Sequence, residues 1–167
     1  ITELAGHLNA GEYRFLALVE AFDREGGWQG EGIHSCAHWL NWRCGLSLGV
    51  AREKVRVARA LPELPQISKA FREGRVSYSK VRAMTRVANL KNEPSLLNVA
   101  LHGTAYHVET QVRLYRQVKR REALERTHGI RTTASNTEAA ASADVVILAV
   151  KPQMLARVGR EIGPHLR

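Results

Sequence analysis

The spacing of apolar residues changes its period once along these 167 residues, and that change constrains the fold more than any other feature. Up to about residue 126, apolar side chains recur at steps of three and four, the mark of helices with one buried face. Leu4, Leu8, Phe15, Val19 and Phe22 trace the first such face, with a register shift around Gly11, and Gly26-Gly27 stops it. No segment before residue 127 alternates with a period of two. Beyond it, Asp144-Val-Val-Ile-Leu-Ala-Val150 is a continuous apolar run of strand length, as in a strand buried on both faces. The expected fold is mainly α: a multi-helix orthogonal bundle over residues 1–126, then a short C-terminal βαβα Rossmann-type fragment over residues 127–167.

Local punctuation divides the first part further. Ser35 is a good N-cap for a short helix through Trp39 and Trp42, which Gly45 ends. Ser47 caps a third helix over Val50–Leu61, closed by Pro62. The next runs from Ile67 to Glu73, where Gly74 terminates it. Ser77 opens a fifth, Asn92 a sixth, and Thr104 a long one towards Arg126. In the second part, Gly129–Thr133 reads as a short β-type run and Asn136–Ala143 as a small alanine-rich helix. Pro152 suits the first turn of a last helix over Met154–His165.

Charge then bears on function. The chain holds 25 Lys and Arg against 16 Asp and Glu, and residues 1–126 carry 20 against 13. Such a balance invites nucleic acid or an anionic surface as partner, and a merely solvated basic surface is the alternative. The helix from Val50 follows a short helix and a Gly-Leu-Ser turn, as in a helix-turn-helix. The helix from Ser77 follows Gly74-Arg-Val in the same manner. Arg52, Lys54, Arg56 and Arg59, or Lys80, Arg82 and Arg86, would then face the phosphates of double-stranded DNA, with Arg best suited to guanine edges. On the other reading these are solvated faces of bundle helices, partly neutralised by Glu53, Glu63 and Glu73. No apolar run approaches the ~20 residues of a membrane span, and no basic-then-apolar leader opens the chain. The cytoplasm is the expected location, with no membrane partner.

His34, Cys36, His38 and Cys44 bear zinc-ligating chemistry, but the two cysteines fall ~12 Å apart along a helix, too far for a disulfide or a compact site. No metal is expected, and the free thiols fit a reducing compartment. Trp28, Trp39 and Trp42 are expected in the core rather than as stacking platforms for bases. His102 and His107 flank Gly103-Thr104, read as a helix junction.

Five ordered strings carry a family resemblance. They are Glu3-Leu-Ala-Gly-His-Leu-Asn9, Ser35-Cys-Ala-His-Trp-Leu-Asn-Trp-Arg-Cys-Gly45, Ala51-Arg-Glu-Lys-Val-Arg-Val-Ala-Arg59, Ser77-Tyr-Ser-Lys-Val-Arg-Ala83 and His102-Gly-Thr-Ala-Tyr-His-Val-Glu109. Residues 1–126 thereby resemble the bacterial domain of unknown function 222, which commonly precedes an HNH endonuclease domain. The resemblance implies an association with DNA cleavage. No later segment supplies the paired histidines and Asn of an HNH site.

The second part, through His128-Gly-Ile-Arg-Thr-Thr and above all Leu148-Ala-Val-Lys-Pro-Gln153, is similar to the pyrroline-5-carboxylate reductase family. That resemblance implies part of an NADP-binding domain. Ala149, Val150, Lys151 and Pro152 match the cofactor-lining loop at a strand's carboxyl end, and Asn136 matches a residue near the adenosine phosphate. The family's Gly-rich phosphate loop does not precede this segment. Gly26-Gly27-Trp-Gln-Gly30-Glu-Gly32 has the wrong spacing and follows a helix.

The expected function is that of a truncated, non-catalytic HNH-endonuclease-associated helical module. Double-stranded DNA is its candidate partner, and a reductase fragment is fused to it. A remnant of an NADP-dependent reductase of proline biosynthesis and a protein-interaction bundle are the alternatives. No catalytic residue and no cofactor are expected, NADP entering only if the tail is functional, and the oligomeric state is open.

Overall fold

A computed structural model describes residues 1–166. Among them are nine α-helices, two 3-10 turns and no strand. The helices are α1 (Thr2–Arg24), α2 (Cys36–Cys44), α3 (Leu48–Ala60), α4 (Pro65–Arg72), α5 (Tyr78–Met84), α6 (Glu93–His102), α7 (Ala105–His128), α8 (Asn136–Ala141) and α9 (Pro152–Ile162). The mainly α reading therefore holds. The chain divides into two compact units, Ile1–Gln117 and Val118–Arg167, the division falling within α7.

Local chemistry sets the helix ends. The Ser35 hydroxyl accepts from the His38 N–H at the start of α2, and Ser47 does the same for the Val50 N–H of α3. Each satisfies one of the donors that a first helical turn leaves open. Gly45, at φ 66°, ends α2 in the left-handed conformation. Past α4, the Gly74 N–H bonds the Phe71 carbonyl and the Arg75 N–H bonds the Ala70 carbonyl. This Schellman pairing places Gly74 at φ 73°.

In the first unit, Leu16, Leu40, Ile67, Phe71, Val81, Met84, Leu96 and Val108 are essentially sealed from solvent. Burial of each such side chain contributes on the order of 1.5–3 kcal/mol. α3 lies against α1 and α2, while α4 lies against α1 and α6. The Phe22 and Trp39 rings pack at 4.6 Å between centroids. Trp28 and Trp39 lean on this core as expected, but Trp42 does not. It points to solvent with the Arg43 guanidinium 4.9 Å from its ring, a favourable arrangement that keeps the charge hydrated.

The second unit departs from its expectation. Neither Gly129–Thr133 nor Val145–Val150 forms a strand in the described residues. Ala140, Val158 and Ile162 make a small cluster with Val146 leaning on it, while Val145 and Ile147 are about four-fifths exposed. The physical reason is pairing: a strand exists only as a member of a ladder. Val145–Val150 is apolar, but it is not buried on both faces.

Candidate nucleic-acid interface

Helix α3 places Ala51, Val55, Val57 and Ala58 in the core and turns Arg52, Glu53, Arg56 and Arg59 the other way. Those polar side chains line a cleft of about 890 Å³, completed by the first turn of α2, by Thr85 and Arg86 past the end of α5, and by Arg116 of α7. Five arginines and one carboxylate, Glu53, thus face a single space.

The hydrogen bonds sort these arginines. Arg56 grips Glu53 through two contacts of 3.0 Å, and also donates to the Arg82 carbonyl at 3.0 Å and to the Thr85 hydroxyl at 3.2 Å. Its fork fastens α3 to the end of α5. Arg86 reaches the same Glu53 carboxylate at 3.0 Å. Those bonds, first that from Arg56, hold the Glu53 carboxyl at about 2, far below a free glutamate, so it is ionised at any physiological pH. Arg59 donates to Asp23 at 2.6 Å. Arg52 and Arg116 are exposed and make no ion pair among the described residues.

Of the seven basic residues singled out by sequence, the structure gathers Arg52, Arg56, Arg59 and Arg86 at this cleft. The other three are engaged in structure. Lys54 lies nearly buried, paired with Glu12 and 4.4 Å from the Tyr78 ring centroid. Lys80 donates to the Ala100 and Gly103 carbonyls at 2.7 and 2.8 Å, closing the C-terminus of α6. Arg82 approaches Glu109 at 3.7 Å. Sequence reasoning missed Arg116, although Arg113, Arg116 and Arg120 recur at helical spacing and mark a basic stripe on α7.

Other candidates have structural roles. Cys36 forms part of the cleft wall, and burial, aided by Asp23, pushes its thiol up to about 11, so it is not a thiolate at neutral pH. The His34 and His38 rings stack at 5.5 Å, the His34 N–H donating to the His38 Nδ1. Thr104 and His107 bond each other's groups at the start of α7, as a helix junction requires.

In the second unit, Asn136, Ala149 and Val150 border a cavity of about 320 Å³ lined almost wholly by apolar side chains, whereas Lys151 and Pro152 lie outside it. The Asn136 amide donates to Glu161 at 3.1 Å. A nucleotide's phosphates require converging N–H donors or cations. Asn136 carries the one polar side chain among those lining residues, and Glu161 holds its amide.

Two known families match the chain, and their matches overlap over residues 96–123. The chain belongs to the family described as "Domain of unknown function (DUF222)", which matches residues 2–123. Residues 96–167 match the family described as "NADP oxidoreductase coenzyme F420-dependent". A pyrroline-5-carboxylate reductase of Vibrio alginolyticus is 62% identical over 39 residues, which are 23% of this chain and 14% of that protein. The chain thus spans about one seventh of the relative's length. No solved structure matches. A helical unit of the first family is joined here to a segment like part of a reductase. No helix is long and apolar enough to cross a membrane among the described residues.

Proposed function

We propose that the helical unit binds duplex DNA through backbone phosphates at the arginine-lined cleft, without cleaving it. The observation that supports this reading is the convergence of five arginines on one space, with a single carboxylate among them. Arg52 and Arg116 supply charge free to meet phosphate. Arg59 and Arg86 can share theirs from the rim, and Arg56 holds the frame in place. Guanidinium forks suit phosphate oxygens geometrically as well as electrically. On this reading the unit serves as a positioning module for cleavage chemistry housed elsewhere. Its binding would be insensitive to sequence, because phosphate contacts carry no base information.

The test is the affinity of the full chain for a fluorescent duplex across a salt series. Affinity should fall with a log–log slope of about −2 to −4, the signature of a few released counterions. The double change Arg52→Ala/Arg116→Ala should flatten that slope by roughly two units and weaken binding about tenfold or more, with helix content unchanged. Absence of binding even at low salt rejects the proposal.

A further inference from the structure

The segment Val145–Val150 has the chemistry of a strand without the ladder. Its six residues are uncharged and free of proline, and all but Ala149 are Val, Ile or Leu. Such a run has the composition that pairs most readily with an extended neighbour. None of the N–H or C=O groups of residues 144–150 has a hydrogen-bond partner among the described residues. Side-chain exposure alternates as on a pleat. Val145 and Ile147 stand 77% and 86% exposed, while Val146 packs on the α8–α9 cluster and Leu148 and Val150 are each 40% exposed. Val146 is thus seated on the helix cluster, with Leu148 and Val150 on the same, less exposed side, and the backbone edges of the segment are open.

We infer that this segment pairs antiparallel with the same segment of a second copy of the chain. Self-complementarity argues for that partner. The apolar run is bracketed by Asp144 at one end and Lys151 at the other. Antiparallel pairing centred on Ile147 brings the Asp144 end of each copy beside the Lys151 end of its mate, whereas parallel pairing would stack like charges. That register sets Ile147 opposite its own counterpart and Val145 opposite Ala149. Val146 then faces Leu148 on the side already lined by helices. The two-fold exchange satisfies backbone groups on both copies at once, as a closed isologous contact does.

Sedimentation velocity on the full chain, over a concentration series, reads the outcome. The intact chain should shift from monomer to dimer as concentration rises. Ile147→Lys, which sets two like charges face to face at the centre of the pair, should weaken dimerisation roughly tenfold or more. Leu90→Lys, a change at an exposed leucine of the first unit, should leave it unaltered. Because Ile147 is exposed, both variants should keep the helical signal of the parent. Hydrogen exchange gives an independent reading, with the amides of residues 145–150 gaining protection only as dimer forms. A chain that stays monomeric throughout overturns the inference. So does a dimer that Ile147→Lys leaves intact, or one that leaves these amides unprotected.

Discussion

Among the described residues Glu93 is the one charged residue sealed in the core, and its place follows from a need elsewhere. Its Oε1 accepts the Ile67 N–H at 2.7 Å, serving a donor in the first turn of α4 that no local side chain reaches, while Oε2 has no partner. Removing the acceptor leaves a buried N–H unmet, so Glu93→Ala should lower stability by about 2–3 kcal/mol, and Glu93→Gln, which keeps an oxygen there, by clearly less. Urea unfolding of the two variants separates these outcomes, and equal losses would deny the capping role.

Glu53 acts through charge instead. Its folded carboxyl ionises at about 2 against an ordinary value of 4.5, so the fold favours its charged form. That stabilisation is complete above the unfolded value and is lost as pH falls from about 4.5 towards 2. Glu53→Gln should therefore be less stable than the parent at pH 7, by an amount of order 2 kcal/mol, with the gap narrowing below pH 4.5 and nearly closed at about pH 2. A gap that persists unchanged at about pH 2 would assign the loss to packing. The sequence reads Glu53 as a partial neutraliser of nearby cations, and its bonds to Arg56 and Arg86 carry out that role. The Glu93 cap has no such local sign, because its partner lies 26 residues away.

Elements were the most legible level, because their signals are local. Ser35, Ser47, Gly45 and Pro152 each sit at a helix boundary for the reason their chemistry gives. Gly74 was read only as a terminator, and the structure adds a second demand. A methyl group there would collide with the backbone of Gly6, so α1 crosses the turn after α4 at a distance only glycine permits. Gly74→Ala must meet that collision as well as a left-handed conformation, which alone costs about 1 kcal/mol. A total loss above ~2 kcal/mol is expected, by denaturant unfolding. Gly49 is the matched contrast. It lies in α3 with an ordinary φ and open space around it, so Gly49→Ala should stabilise by about 0.5–1 kcal/mol. Should both changes prove neutral, the close crossing is not a determinant of the fold.

At the scale of the whole chain, the change of apolar period announced two kinds of segment, and their stabilities should differ accordingly. The first unit has a contiguous core drawn from α1 to α7, whereas the second gathers three buried residues and one neighbour. A sequence reveals that Val145–Val150 is apolar. It does not reveal whether a ladder exists to receive it, because the partner strands are a property of other segments. The same limit applied to the basic residues: period placed them on helix faces, but only packing showed that Lys54 and Lys80 serve the fold while Arg116 joins the cleft. Hydrogen exchange on the dilute chain should therefore resolve two classes. Amides of α3, α4 and α6 should open only with global unfolding, and those of residues 144–151 should exchange at nearly the unstructured rate. Strong protection of residues 144–151 in the monomer would mean that they find backbone partners within their own chain. The strand edge would then be closed before any second copy could reach it.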